Sequence, residues 1–232
     1  MLFRSDVGMR ISHLGHACLL VEAAGTRVLV DPGTFSTGWE ELTDLDAVLV
    51  THQHPDHVDV DVEKLPALLE GNDGALLRAE PETAASLAGS RLGADGDVDL
   101  AALHPGEALQ LGAVTVRAVG GRHASIHADV PGVGNTGLVV SAPGEPVLFV
   151  PGDAYDAVPE GVDLLALPLN APWATSAMTV DFLRAVAPST AVVPVHDALL
   201  SPAGRRVYLG NLARLCGDVD VRDDDGHGTH EF

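Results

Sequence analysis

The chain has 232 residues, of which 46% are hydrophobic and 20% are charged. This length allows a sizeable core, and this composition is typical of a folded globular protein. The formal net charge of −20 disfavours nucleic acid as a partner, because the chain and a phosphate backbone repel each other. The sequence contains no apolar run of about 18 residues, so we expect no membrane partner and a cytoplasmic location.

In chain order, short apolar runs separated by turn residues predict a series of strands. A hairpin is predicted from Arg10–Glu22 and Thr26–Asp31, with its turn at Ala24-Gly25, and a buried strand is predicted at 46–51. Further strands are predicted at 108–111, 114–119, 137–141, 146–151, 164–167 and 191–195.

Helical spacing of apolar residues predicts helices at 60–69, 80–92, 179–187 and 202–215, with Thr179 as the N-cap of the third. Strongly apolar strands with helices between and after them predict an α/β fold in which helices cover the sheets.

Both ends of the chain have the character of extensions on a single domain spanning residues 1–232. The segment 223–230 is rich in Asp, Gly and His, and polar chain ends are commonly disordered. We therefore expect residues 1–8 and about 223–232 to be flexible. We also expect removal of the residues after 226 to leave activity unchanged.

The most informative segment is THQHPDH at Thr51–His57, which directly follows a predicted buried strand. Imidazole and carboxylate groups are ligands for zinc and similar divalent ions. In extended chain, His52 and His54 point to the same side, and the turn at Pro55 redirects Asp56 and His57. One loop of this kind can serve two adjacent metal ions. Packing alone rarely places so many histidines and an aspartate together.

Three further candidate ligands each follow a later predicted strand: His123 after 114–119, Asp153 after 146–151 and His196 after 191–195. Strand ends are where α/β folds commonly present functional side chains. His127 is an alternative to His123, which is preferred because it lies nearer to its strand end. The alternative for Asp153 is a turn residue, and for His196 a satisfied core histidine.

The pattern His-x-His-x-Asp-His after a short strand resembles the signature loop of the metallo-β-lactamase superfamily. The opening His13-Leu14-Gly15-His16, followed by Asp31-Pro32, is similar to the subgroup that includes ascorbate-6-phosphate lactonase-like proteins. The resemblance runs from about Met9 to about Leu199. It implies a four-layer αβ/βα sandwich of the metallo-β-lactamase type.

The resemblance also implies two metal ions and assigns residues to them. One ion has three histidines, the other has an aspartate and two histidines, and one aspartate bridges: His52, His54 and His123; Asp56, His57 and His196; and Asp153. His16 is implied to act in catalysis together with Asp56 and Asp153, and Asp31 to orient a histidine ligand. The alternatives are that His16 is a packing histidine and Asp31 a turn former.

The implied reaction is metal-dependent hydrolysis. Two divalent ions, most simply Zn²⁺ with Mn²⁺ or Fe²⁺ as alternatives, would share a bridging hydroxide that attacks a small ester-type substrate, either a lactone or a phosphodiester. A nucleophile elbow and a Walker loop are both absent from the sequence, which argues against other hydrolases and nucleotide-binding proteins.

Several alternatives stay open at the level of sequence. One is a mononuclear iron dioxygenase of the same fold, and another is a metal-binding or regulatory protein without turnover. A thioesterase acting on glutathione conjugates is disfavoured because Lys64 is the only lysine. The predicted partner is a small molecule, and a homo-oligomer is compatible with the sequence. The sequence does not decide whether the pocket is lined by His127, Tyr155, Asn170 and Trp173.

Overall fold

A computed structural model of the chain describes residues 8–59, 64–90, 92, 98–217 and 219–232. Within them lie thirteen strands in two sheets. The first sheet has the order β13-β1-β2-β3-β4-β5-β6 and the second β12-β11-β10-β9-β8-β7. The first contains β1 Arg10–Leu14, β2 Leu19–Ala23, β3 Thr26–Val30, β4 Ala47–Val50, β5 Leu76–Ala79, β6 Leu100–Ala102 and β13 His227–Glu231. The second contains β7 Ala108–Leu111, β8 Val114–Gly120, β9 Thr136–Ser141, β10 Leu148–Val150, β11 Leu164–Pro168 and β12 Ala191–Val195.

Four helices lie in the same part of the chain, and their bounds are α1 Lys64–Glu70, α2 Pro81–Ala88, α3 Ser176–Val186 and α4 Pro202–Leu215. Helices α1 and α2 pack on the outer face of the first sheet through Leu65, Leu68 and Leu87. Helices α3 and α4 cover the outer face of the second sheet. The two sheets face each other across a shared core. These are the four layers of an αβ/βα sandwich, as the sequence predicts.

The alternation of side chains along each strand divides the apolar residues between the inner core and the outer layers. In β2, Leu19 and Val21 face the core between the sheets, whereas Leu20 faces the helices. Strands β4, β11 and β12 are buried along their whole length. Such continuously apolar strands are expected where both faces of a sheet are covered.

Several predicted elements need correction. The run predicted as one strand over Arg10–Glu22 is two antiparallel strands, in which Ile11 pairs with Val21. The third helix begins earlier than predicted, because its N-cap is Thr175, whose side chain accepts a hydrogen bond from the backbone N–H of Met178. Strands β5 and β6 are short, lack β-branched residues and were not predicted; their parallel pairing in the sheet stabilises them.

The expectation of a flexible C-terminal segment is wrong for most of it. Strand β13 pairs antiparallel with the full length of β1, from Arg10 opposite Glu231 to Leu14 opposite His227. Beyond this strand, the backbone N–H of Phe232 donates to the carbonyl of Met9 at 2.9 Å. Polar composition suggested disorder, but an edge strand with one exposed face can be polar throughout. The expectation for residues 1–7 lies outside the described part.

The parallel strands of both sheets end at the same edge of the sandwich, and the loops that follow β3, β4, β10 and β12 meet there. These loops carry the predicted site residues. No helix in the described ranges is long and apolar enough to cross a membrane.

Candidate metal centre

Two glycines allow the loops of the site to approach one another. Gly33 lies against the loop that follows β4, where a Cβ atom would sit 2.0 Å from the backbone carbonyl oxygen of Asp56. Gly152 has a φ of 65°, and a Cβ atom there would lie 2.4 Å from Oδ1 of Asn135. Any larger residue at either position would push a ligand-bearing loop away. Asn135 Oδ1 accepts the backbone N–H of Asp153 at 2.9 Å, which fixes that loop.

The structure brings all seven predicted ligands together at the sheet edge. One group contains His52, His54, His123 and Asp153, and its ligand atoms all lie within 4.8 Å of one another. A second group within the same limit contains His16, Asp56, His57 and His196. The division into two groups agrees with the two ion sites implied by the sequence, with His16 added to the second.

Asp153 lies between the two groups, with one carboxylate oxygen toward each. Its Oδ2 is 3.4 Å from Nε2 of His123 in the first group. Its Oδ1 is 3.3 Å from Nε2 of His57 and 3.1 Å from Nε2 of His196 in the second. A carboxylate in this position has the geometry required of a ligand that bridges two cations.

Several buried polar atoms of the cluster have no hydrogen-bond partner. They are Nε2 of His57, Nε2 of His123, Nε2 of His196 and Oδ1 of Asp153. Leaving such atoms unsatisfied costs about 1–3 kcal/mol each. All four point toward the centre of the cluster, and imidazole nitrogen with carboxylate oxygen is a donor set suited to zinc and similar ions. The residues therefore fit divalent metal ions.

The opposite nitrogens of the same histidines are held by the protein. His57 Nδ1 lies 2.8 Å from Asp31 Oδ2, His196 Nδ1 lies 2.6 Å from the carbonyl of Asn170, and His123 Nδ1 lies 2.6 Å from the carbonyl of Ala124. Since a carbonyl or carboxylate accepts a proton from Nδ1, each ring presents an unprotonated Nε2 to a metal ion. Asp31 therefore takes the orienting position predicted for it.

Charges within the cluster alter the pKa values strongly. Burial lowers the pKa of His57 and of His196, but the carboxylates around them outweigh it: the pKa of His57 is well above its usual range, and that of His196 is raised to about 9. Burial raises the pKa of Asp153, yet the neighbouring histidines hold it well below its usual range. Protons thus occupy the positions of the missing cations, and metal binding would displace them.

His16 is positioned by three contacts. Its Nδ1 accepts the backbone N–H of Ala198 at 3.3 Å, so Nε2 carries the proton and donates to Asp56 Oδ2 at 3.1 Å. Its backbone, with a φ of 50°, is held by its carbonyl, which accepts the N–H of His196 at 2.7 Å and lies 2.8 Å from Nε2 of His13. The predicted orientation of His16 into the site is therefore observed.

Trp173 contributes a contact that the sequence did not predict. Its indole Nε1–H donates to Oδ2 of Asp153 at 2.9 Å, and the side chain is buried. The sequence suggested only that Trp173 lines a pocket. Indole is a donor without an acceptor, so it favours the ionised carboxylate and fixes its rotation between the two groups.

Replacing Trp173 with Phe is expected to weaken metal affinity by about 10- to 100-fold, the usual cost of removing an outer partner of a metal ligand. Competition with a chromophoric chelator measures this affinity. The matched control is Tyr155→Phe, because Tyr155 packs against Trp173 with ring centroids 4.9 Å apart but donates its hydroxyl to the Pro168 carbonyl. Equal loss in both variants would show that packing, not the hydrogen bond, matters.

The remaining candidates of the sequence are placed as follows. His127 is 66% exposed and lies beside Asp129, so it is outside both ligand groups but lines a cavity next to them. Tyr155 stacks on Phe182 with ring centroids 4.3 Å apart and belongs to the packing layer. Asn170 acts through its backbone carbonyl.

Two cavities flank the cluster. The first, of about 380 Å³, opens beside His54 and His123 and is lined by Arg122, His127 and the loop 124–134. The second, of about 590 Å³, opens beside His16 and is lined by residues of the Phe35 loop, α4 and the C-terminal segment. The cluster therefore has space for a molecule on both sides.

Comparison with known proteins gives the family. Residues 10–196 match the model of the beta-lactamase superfamily domain. Over 208 residues the chain is 48% identical to protein Rv0786c of Mycobacterium tuberculosis, covering 89% of this chain and 92% of that protein. It is 32% identical over 154 residues to a UPF0173 metal-dependent hydrolase of Xanthobacter autotrophicus, covering 62% of each. The chain belongs to the metallo-β-lactamase superfamily.

A solved structure shows the same fold at low sequence identity. The metallo-beta-lactamase fold protein YhfI of Bacillus subtilis has a TM-score of 0.70 at 16% identity, covering 98% of this chain and 100% of that one. The four-layer arrangement is therefore retained although most side chains differ. The ascorbate-6-phosphate lactonase subgroup is not distinguished by these similarities.

Proposed function

We propose that the protein is a hydrolase that uses two divalent metal ions, with zinc the best match to the ligands, to cleave a small ester-type molecule. The observation that supports this most is the position of Asp153, with one oxygen directed to each of two ligand groups. A structural ion has no need of a second ion beside it or of cavities on both sides. When bound, the ions lower the pKa of water and polarise a carbonyl or phosphoryl oxygen.

The ligand sets proposed for the two ions follow the two groups. The first ion has His52, His54 and His123; the second has Asp56, His57 and His196; Asp153 is shared. His16 is not assigned as a ligand, because its Nε2 carries the proton that it donates to Asp56. It is proposed as the residue that holds Asp56 in position.

The carboxylates supply the proton transfers of the reaction. Asp56 has a side chain that is 21% exposed, so it can meet water and substrate, whereas Asp153 is buried. A water oxygen forms the new bond to the carbonyl carbon, and the bond to the leaving oxygen breaks. The proton that water loses passes through a carboxylate to the leaving oxygen. Burial raises the pKa of Asp56, but hydrogen bonds with His16 and His196 outweigh it and keep the carboxylate ionised.

The two histidines of the loop after β8 give a direct test. His123→Ala is expected to lower the bound metal by about one equivalent and to abolish hydrolysis of p-nitrophenyl acetate, because the first ion loses one of its three histidines. His127→Ala, only four positions away and exposed, is expected to keep both the metal and the activity. Metal content by elemental analysis, together with initial rates, measures the two effects. Full metal content and full activity in His123→Ala would contradict the proposal.

A further inference from the structure

The cavity beside His16 has features that identify the kind of molecule it takes. It is about 590 Å³, a size that suits a small organic ligand. Apolar side chains from three parts of the chain line it: Phe35 from the loop after β3, Leu200 from the loop after β12 and Leu209 from α4. Phe35 is 47% exposed, which is unusual for an aromatic side chain beside a metal cluster.

The cavity is continuous with the ligand groups. The ring of Phe35 meets His16 edge to face, with centroids 5.3 Å apart, and His16 in turn contacts Asp56 at 3.1 Å. The imidazole of His227, carried by β13, lies against Gly15 and forms another part of the wall. A molecule whose reacting bond lies at Asp56 would therefore extend one of its groups over His16 and along Phe35.

The charges around this cavity disfavour an anion. Arg205 is buried and already paired: its Nε lies 2.7 Å from Asp197 Oδ2, and its Nη1 pairs with Asp223 and Asp225. Only Arg206 remains among the basic side chains of the lining. With three aspartates near it and a chain charge of −20, this cavity repels a phosphate or carboxylate group.

The other cavity differs in character. Arg122 and Glu82 line it, and the N–H of Gly134 donates to Glu82 Oε2 at 3.1 Å. Charged and hydrogen-bonding groups of both signs suit a polar portion of a substrate. The apolar group of a substrate is therefore better accommodated on the His16 side.

We propose that the cavity lined by Phe35, Leu200 and Leu209 binds the apolar acyl group of an uncharged carboxylic ester or lactone. This inference rests on the proposed hydrolase function and narrows it, because it selects a neutral carboxylic ester over a phosphodiester. Hydrolysis adds water across the acyl–oxygen bond: the new carbon–oxygen bond forms, the leaving alcohol takes a proton, and the product is a carboxylic acid.

The test compares p-nitrophenyl acetate, butyrate and octanoate with bis(p-nitrophenyl) phosphate, which releases the same chromophore. For the native protein loaded with zinc, kcat/KM is expected to rise about fourfold for each added methylene until the cavity is filled, and the phosphate diester is expected to react far more slowly. Leu209→Trp fills the cavity and is expected to remove the gain with chain length while leaving acetate hydrolysis unchanged. The matched control is Val207→Trp on the same helix, which is 61% exposed and lies outside the lining.

A second measurement does not depend on turnover. Binding of prodan, a neutral naphthalene dye, followed by its fluorescence, is expected to weaken about tenfold or more in Leu209→Trp and to be unchanged in Val207→Trp. Phe35→Ala, in a different part of the wall, provides a second variant if Leu209→Trp fails to fold, and it is expected to weaken both dye binding and the octanoate gain.

The outcomes separate the two proposals. Acetate hydrolysis without any gain along the series, or a phosphate diester that reacts faster than the octanoate, would overturn the assignment of the cavity and leave the hydrolase function standing. Absence of zinc-dependent hydrolysis of every ester, acetate included, would overturn the hydrolase function and the acyl assignment with it. Dye binding that is equal in Leu209→Trp and Val207→Trp would likewise overturn the cavity assignment.

Discussion

Replacement of Asp153 by Ala is expected to lower kcat/KM for p-nitrophenyl acetate by about 10³-fold or more, because it removes the only residue directed at both ligand groups in the described structure. The loss exceeds that of an outer contact such as Trp173, since a shared ligand is removed from both ions. Bound metal is expected to fall as well. Initial rates and elemental analysis of the purified variant measure both effects.

The control for this variant is Asp156→Ala. Asp156 is an exposed aspartate three positions further along the same loop, and it accepts the backbone N–H of Arg122 at 3.2 Å. Its replacement removes a carboxylate without touching the cluster, so metal content and rate are expected to stay near those of the native protein. Native activity and a full metal load in Asp153→Ala would show that another group bridges the ions or that one ion suffices.

Removal of residues 227–232 is expected to lower the free energy of unfolding by about 3 kcal/mol or more, and the activity with it. The deletion removes all of β13, which pairs with β1 along five positions, and each backbone hydrogen bond contributes about 1 kcal/mol. It also removes His227 from the wall above Gly15. The structure thus reverses the expectation from sequence that these residues are dispensable. Denaturant unfolding followed by circular dichroism measures the change.

The matched control is His227→Ala, which keeps the strand and removes only the imidazole. It is expected to retain most of the stability, because the backbone pairing of β13 with β1 remains. A truncated protein with native stability and native activity would mean that the pairing of β13 contributes nothing to the folded state.

The site was largely predictable because its ligands have a local pattern. Four ligand residues lie within Thr51–His57, and the buried strand before them is apolar throughout. His123, Asp153 and His196 follow buried strands in the same way, so the ends of strands identified them without knowledge of the topology. In each case the signal is contained in a few neighbouring residues.

What was missed depends on contacts between distant parts of the chain. Trp173 donates to Asp153 across 20 positions, and β13 pairs with β1 across more than 200. No local pattern marks a tryptophan as the donor to a carboxylate, and a polar edge strand has the composition of a disordered end. The cavity beside His16 likewise requires Phe35 and Leu209, which only the folded chain brings together.

The central claim is tested most directly by the metal content of native protein free of any affinity tag, measured by elemental analysis alongside p-nitrophenyl acetate hydrolysis before and after chelation. We expect about two equivalents of zinc or manganese per chain, loss of turnover on chelation and recovery when the metal is restored. One equivalent of iron without hydrolysis, or turnover that survives complete removal of metal, would contradict the account.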